Sequence, residues 1–182
     1  MPRMPIIVNI VLFQIGWFAC VLGAARGLAW AGALVAVVIA SVHLACAKRR
    51  RVELLLLLLV VTLGFAWDSA VTAMGLMQFT TGEIISGLAP YWMAAMWLSF
   101  ATTLNVSLRW LRGRAWLAAL LGAVGGPLAY FAGAKLGALS FPQPLLGLGA
   151  QALGWALLMP LLIKLAAHFD GVAQGPAEGM YV

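Results

Sequence analysis

"KRRRVELLLLLLVVTLGFAWDSAVTA", residues Lys48 to Ala73, decides the fold. Four basic residues in a row give way to an apolar run, Val52 to Ala73, that exceeds the roughly 20 residues a helix needs to cross a bilayer. A cationic block set against such a run is a topology signal, because Lys and Arg beside a membrane span are retained in the cytoplasm. Deep in the same run sits an acid, Asp68.

The rest of the chain follows this pattern. Of its 182 residues 64% are hydrophobic and 9% charged, against roughly 45–50% and about 25% in soluble domains. A water-soluble fold could not bury that much hydrocarbon, so the composition specifies an integral membrane protein. The net charge of +6 sits at the ends of apolar runs and marks topology, not nucleic acid as a partner. Besides Val52 to Ala73, apolar runs extend over Pro5 to Ala24, Gly27 to Ala47, Ala89 to Leu108, Ala115 to Gly137 and Leu145 to Ala167. The expected fold is all-α, a bundle of six transmembrane helices. Lys48, Arg49, Arg50 and Arg51 lie between runs two and three, and Arg109, Arg112 and Arg114 between runs four and five, whereas the link between three and four has no Lys or Arg. Both termini are therefore expected in the cytoplasm, with Arg26 and Lys135 toward the outer face.

Residues 1–168 are expected to form one domain and residues 169–182 a mobile cytoplasmic tail, since the stretch from Asp170 onward holds three Gly, a Pro and two acids. The length of the first run, together with Asn9 and Gln14 inside it, argues against a secretory signal. Cys20 and Cys46 fall toward opposite ends of their helices, so no disulfide is expected. "LMQFTTGEIISGL", Leu76 to Leu88, is too polar to span and too apolar for a solvated loop, which predicts an interfacial or re-entrant piece.

Three features hold the candidate chemistry. On helix four, Thr102, Asn105, Arg109 and Arg112 share one stripe, and Ser99, Thr103 and Ser107 a second. Such residues serve as interhelical hydrogen bonds, or as a pocket in which Arg109 or Arg112 grips a phosphate or carboxylate with two prongs. On helix five, Gly122 and Gly126 form a GxxxG, and Gly125, Ala129, Gly133 and Gly137 a second small-residue row. Pro127, just after Gly125 and Gly126, removes a helical donor and predicts a break. Asp68 lies about 20 Å from the inner end of helix three. An acid at that depth costs about 2.5–3.5 kcal/mol on insertion scales and is a functional candidate, with Arg26 and Lys135 as expected partners. His43 and Asn105 form a possible inner polar pair. No metal or cofactor motif is present: the chain has no HExxH, GxSxG, Walker loop or CxxC. An enzyme is the less favoured class, and Asp68 would be its acid or base.

From Tyr91 to Ala138, "YWMAAMWLSFATTLNVSLRWLRGRAWLAALLGAVGGPLAYFAGAKLGA" together with the aspartate of helix three resembles an uncharacterised family of small bacterial inner-membrane proteins, a domain of unknown function. Its members carry a W-x-x-A-x-W-x-x-F-A-T-T-L-N-x-S-L-x-W-L pattern followed by G-G-P. Many have His where this chain has Val106. The resemblance implies a bacterial inner-membrane location and encoding near cyclopropane-fatty-acid-synthase-like and flavin amine-oxidase-like enzymes, hence lipid modification or envelope stress. It marks Asp68, Asn105, Arg109, Gly125, Gly126 and Pro127 as characteristic positions.

These readings favour a protein that binds, presents or moves an anionic lipid or amphiphile at the arginine end of helix four, with membrane lipids and either lipid-modifying enzymes or a transporter complex as partners. A small-solute transport component similar to the substrate-binding subunits of energy-coupling-factor transporters is the alternative, followed by an intramembrane lipid-modifying enzyme.

Overall fold

The computed structural model describes residues 4–172. Six α-helices follow one another: α1 (Ile6–Ala25), α2 (Ala29–Cys46), α3 (Arg50–Ala73), α4 (Tyr91–Leu104), α5 (Ala115–Lys135) and α6 (Pro144–His168). Five of them, all but α4, are long and apolar enough to cross a membrane. Large apolar side chains such as Ile7, Trp116 and Leu145 point outward, as the helices of a multi-pass membrane protein require.

Prolines set several of the starts. Pro5 and Pro90 precede α1 and α4, and Pro144 opens α6, where a missing N–H costs nothing and the fixed φ suits the first turn. Between α1 and α2 the chain reverses within a few residues, which Gly27 permits at φ 74°.

Two pairs of ends are tied by polar contacts. At one end Thr81 Oγ1 donates to Ala24 O at 2.8 Å, and Thr80 Oγ1 to Gly137 O at 2.7 Å. There β1 (Gln78–Phe79) pairs antiparallel with β2 (Leu139–Ser140). The segment from Leu76 to Leu88 thus folds across the bundle end as a cover. At the other, basic end, Arg49, Asn105, Arg112 and Asp170 come together.

α4 departs most from the sequence reading. It spans 14 residues, about 21 Å at 1.5 Å per residue, where the apolar run to Leu108 predicts a full crossing. Its last turn gives way because other partners compete for the polar groups there. Asn105 Nδ2 bonds Glu53 Oε2 at 2.8 Å, and Ser107 N–H turns to Asn9 Oδ1 at 3.3 Å. The chain then passes through a 3₁₀ turn, Arg109–Leu111, before α5. Such backbone is tolerated at membrane depth when protein surrounds it. Asn105 and Leu111 are enclosed in this way, whereas Trp110 faces outward.

The bundle centre is built from two indoles. Trp97 on α4 and Trp155 on α6 stack with centroids 4.8 Å apart and planes 14° from parallel. Gly64 on α3 and Gly126 on α5 make room for them: an added Cβ would lie 2.0 Å from Trp97 Cδ2 and 2.3 Å from Trp155 Cγ, respectively. α5 continues through Pro127 as one helix, Ala115–Lys135. The GxxxG pair, Gly122 and Gly126, faces Trp155 and Met159 of α6, whereas a Cβ at Gly125 would touch nothing within 4 Å. The two cysteines are free thiols.

Candidate functional site

Asp68 is fully buried between α3, α4, α5 and α6. Trp97 Nε1 donates to Oδ2 at 2.6 Å, and Tyr130 Oη and Gln151 Nε2 donate to Oδ1 at 2.6 and 3.3 Å. Gln151 is held in turn by Trp67 Nε1, 3.1 Å from its Oε1. The expectation of a salt bridge to Arg26 or Lys135 is corrected here. Neutral donors from three other helices surround the carboxylate, and no ion pair to Asp68 forms among the described residues. Arg26 is exposed, and Lys135 Nζ lies 5.3 Å from the Phe131 ring centroid. Both cations sit at helix ends, where the charge stays hydrated, so neither is drawn inward.

In front of this cluster lies a cleft. Its walls come from α1, α4 and α5, and its volume is about 70 Å³. Phe13, Trp17, Trp92, Trp97, Phe100 and Tyr130 supply much of its lining, which includes no charged residue. α1 packs mainly on α2 and α4, and α5 mainly on α6, and the cleft lies where α1, α4 and α5 face one another. Three of the lining residues have their polar tips bonded elsewhere. Trp97 Nε1 and Tyr130 Oη bond Asp68, and Trp92 Nε1 bonds Thr81 O at 3.0 Å. Trp155 Nε1, also buried, makes no hydrogen bond of normal geometry.

At the basic end a second acid, Glu53, is fully buried. His43 Nε2 lies 2.8 Å from its Oε1, while Asn105 Nδ2 and the Gly171 N–H donate to Oε2 at 2.8 and 2.9 Å. The expected His43 and Asn105 pair is therefore bridged by a carboxylate. Arg112 joins this layer to the segment after α6: Nη2 donates to Asn105 Oδ1 at 2.5 Å and Nη1 to Asp170 Oδ2 at 2.8 Å. Arg109 Nη2 also pairs with Asp170 Oδ2, and Arg49 Nη2 donates to Asp170 O at 2.5 Å. Burial first, then the neighbouring Arg109, lowers the Arg112 pKa, with Glu53 acting the other way. A guanidinium starting so high remains charged.

The helix-four stripe is thus split. Asn105, Arg109 and Arg112 meet in one network, whereas the Thr102 hydroxyl donates to Ser99 O in its own helix at 2.7 Å, and Thr102 O accepts from Asn9 Nδ2 at 3.1 Å. Asp68 belongs to a separate cluster. Residues 170–172, expected in the mobile tail, are hydrogen-bonded at the basic end; the rest of that tail, 173–182, lies outside the described residues. Sequence reasoning missed Glu53, which reads as an interfacial acid two residues past the arginines, and Tyr130, Gln151 and Trp155, which carry no distinguishing spacing. Among the described residues no three His, Cys, Asp or Glu side chains group as a metal site.

Over residues 6–161 the chain matches DUF2878, described as a protein of unknown function, and it belongs to that family. No curated protein and no solved structure matches it.

Proposed function

We propose that this DUF2878 protein is a six-span protein of the bacterial inner membrane, with both termini cytoplasmic, that binds a membrane amphiphile through the cleft between α1 and α5. The observation that carries the reading is the cleft itself, an aromatic-lined, uncharged recess between membrane helices in which the polar tips of Trp92, Trp97 and Tyr130 are turned to internal partners. Recesses of this kind favour hydrocarbon, because a polar ligand would leave its own groups unpaired there. Placement in a bilayer makes an acyl or isoprenoid chain the occupant with the readiest access. The cytoplasmic assignment rests on the two basic links, and a role beside lipid-modifying enzymes on the family resemblance.

Gly133 provides the test. It lines the cleft, and a Cβ there would meet only Leu139 Cδ2 at an ordinary 3.5 Å. Gly133→Leu should therefore fill the recess while keeping the fold. Native mass spectrometry of the purified protein should show a retained amphiphile, and the variant should lose it with its melting temperature within a few degrees of the wild type. Equal retention in both proteins would remove the cleft as the binding site.

A further inference from the structure

At the basic end, independently of the cleft, a carboxylate of the chain sits where an anion would. Arg109 and Arg112 both address Asp170 Oδ2, and Arg49 donates to the same residue's main-chain oxygen. The basket is shaped from behind: Asn105 and the Ala166 carbonyl hold Arg112 Nη2 at 2.5 and 3.0 Å, and Glu53 fixes Asn105. Arg112 Nε is buried and has no hydrogen-bond partner, so the guanidinium retains an unused donor. The occupant is held on a short tether. Gly171 N–H bonds Glu53, the Arg49 N–H bonds Gly171 O at 2.9 Å, and a Cβ at Gly171 would lie 2.6 Å from Glu53 Cβ. Arg109 is 36% exposed and Arg112 24%, which leaves this side of the basket open to a competitor.

We propose that Arg49, Arg109 and Arg112 form a phosphate-binding site which Asp170 fills in cis, and that a phosphate-bearing anion displaces Asp170 and releases the 169–172 segment. Paired guanidinium forks match a phosphodiester or phosphate better than a single carboxylate oxygen, since more acceptors reach more donors. At a membrane surface the nearest such group is an anionic lipid headgroup; free phosphate is the other source of the same chemistry.

A reporter cysteine at Val172, in a background with Cys20 and Cys46 replaced by alanine, reads release directly. Its labelling should be several-fold faster in nanodiscs containing phosphatidylglycerol than in pure phosphatidylcholine. If inorganic phosphate added to phosphatidylcholine discs gives the same acceleration, the site takes soluble phosphate. Asp170→Asn, which removes the competing pairs to Arg109 and Arg112, should raise phosphatidylglycerol retention about fivefold or more, and Arg109→Gln should abolish the lipid-dependent acceleration. A labelling rate indifferent to both phosphatidylglycerol and phosphate in the otherwise unaltered chain overturns the proposal, whatever the Asp170 variant does to stability. Unchanged lipid retention in a folded Asp170→Asn protein also overturns it.

Discussion

Removing the Asp68 carboxylate would leave Trp97 Nε1, Tyr130 Oη and Gln151 Nε2 aimed at an empty space inside the bundle. Each stranded donor costs about 1–3 kcal/mol, so Asp68→Ala should lower the unfolding temperature in detergent sharply. Asp68→Asn should cost less but not nothing, because an amide turned either way sets one of its own donors against a donor. Neutralising Arg26 or Lys135 alongside Asp68→Ala should recover no stability; recovery in either double variant would show that the cation, not the neutral cage, balances the acid. Tyr130→Phe combined with Asp68→Ala should cost less than the sum of the two, as groups in one network do. The acid itself is legible from sequence, since a carboxylate deep in an apolar run calls for partners. Its donors are not, because they come from positions 29, 62 and 83 residues away on three other helices and no local pattern marks them. Glu53 was hidden for the opposite reason: beside Arg49, Arg50 and Arg51 it needs no special explanation until the Gly171 N–H and His43 are found on it.

Among the elements, α5 shows which sequence signals act through packing. Four-residue spacing of small residues occurs on two of its faces, yet only Gly122 and Gly126 meet the backbone and side chains of α6. The choice between the faces is made by Trp155, which needs a flat, Cβ-free surface behind it once Trp97 occupies its other side. Gly126→Val and Gly64→Val should each destabilise the bundle by about 1–3 kcal/mol or more through overpacking, visible as a lowered melting temperature. By contrast Gly125→Ala, which meets nothing, should be neutral or slightly stabilising, since Gly in a helix interior costs about 0.5–1 kcal/mol relative to Ala. Equal losses at Gly125 and Gly126 would mean that the stack does not set the helix spacing. α4 was the element least legible in advance. Its hydropathy extends to Leu108, but the helix stops at Leu104 because Asn9, Glu53 and Phe169, distant in sequence, supply partners for Asn105 and the backbone after it.

For the whole molecule, the question is how a 14-residue helix fits among five longer ones. Contacts at the two ends bear on it. Arg49, which precedes α3, and Arg112, which follows α4, both reach Asp170 beyond α6. At the opposite end Thr81, before α4, bonds Ala24 near the end of α1, and Thr80 bonds Gly137, beyond α5. If α4 did not cross, the arginines after it would emerge at the end of the bundle away from Arg49. The contacts are those the proposed sixth pass requires, with the turns from Asn105 to Leu111 extending it where helix alone is too short. Two single cysteines flanking α4, Ser86→Cys and Ala115→Cys in a chain lacking Cys20 and Cys46, test this without altering any charge. Both positions are exposed. In the proposed orientation, with the basic links cytoplasmic, an impermeant thiol reagent should label residue 86 in intact spheroplasts and spare residue 115 until the membrane is opened. Labelling at 115 but not 86 would invert the orientation while keeping the pass. Equal labelling of the two before permeabilisation would place both ends of α4 on one side and reduce the bundle to five crossings around a re-entrant helix.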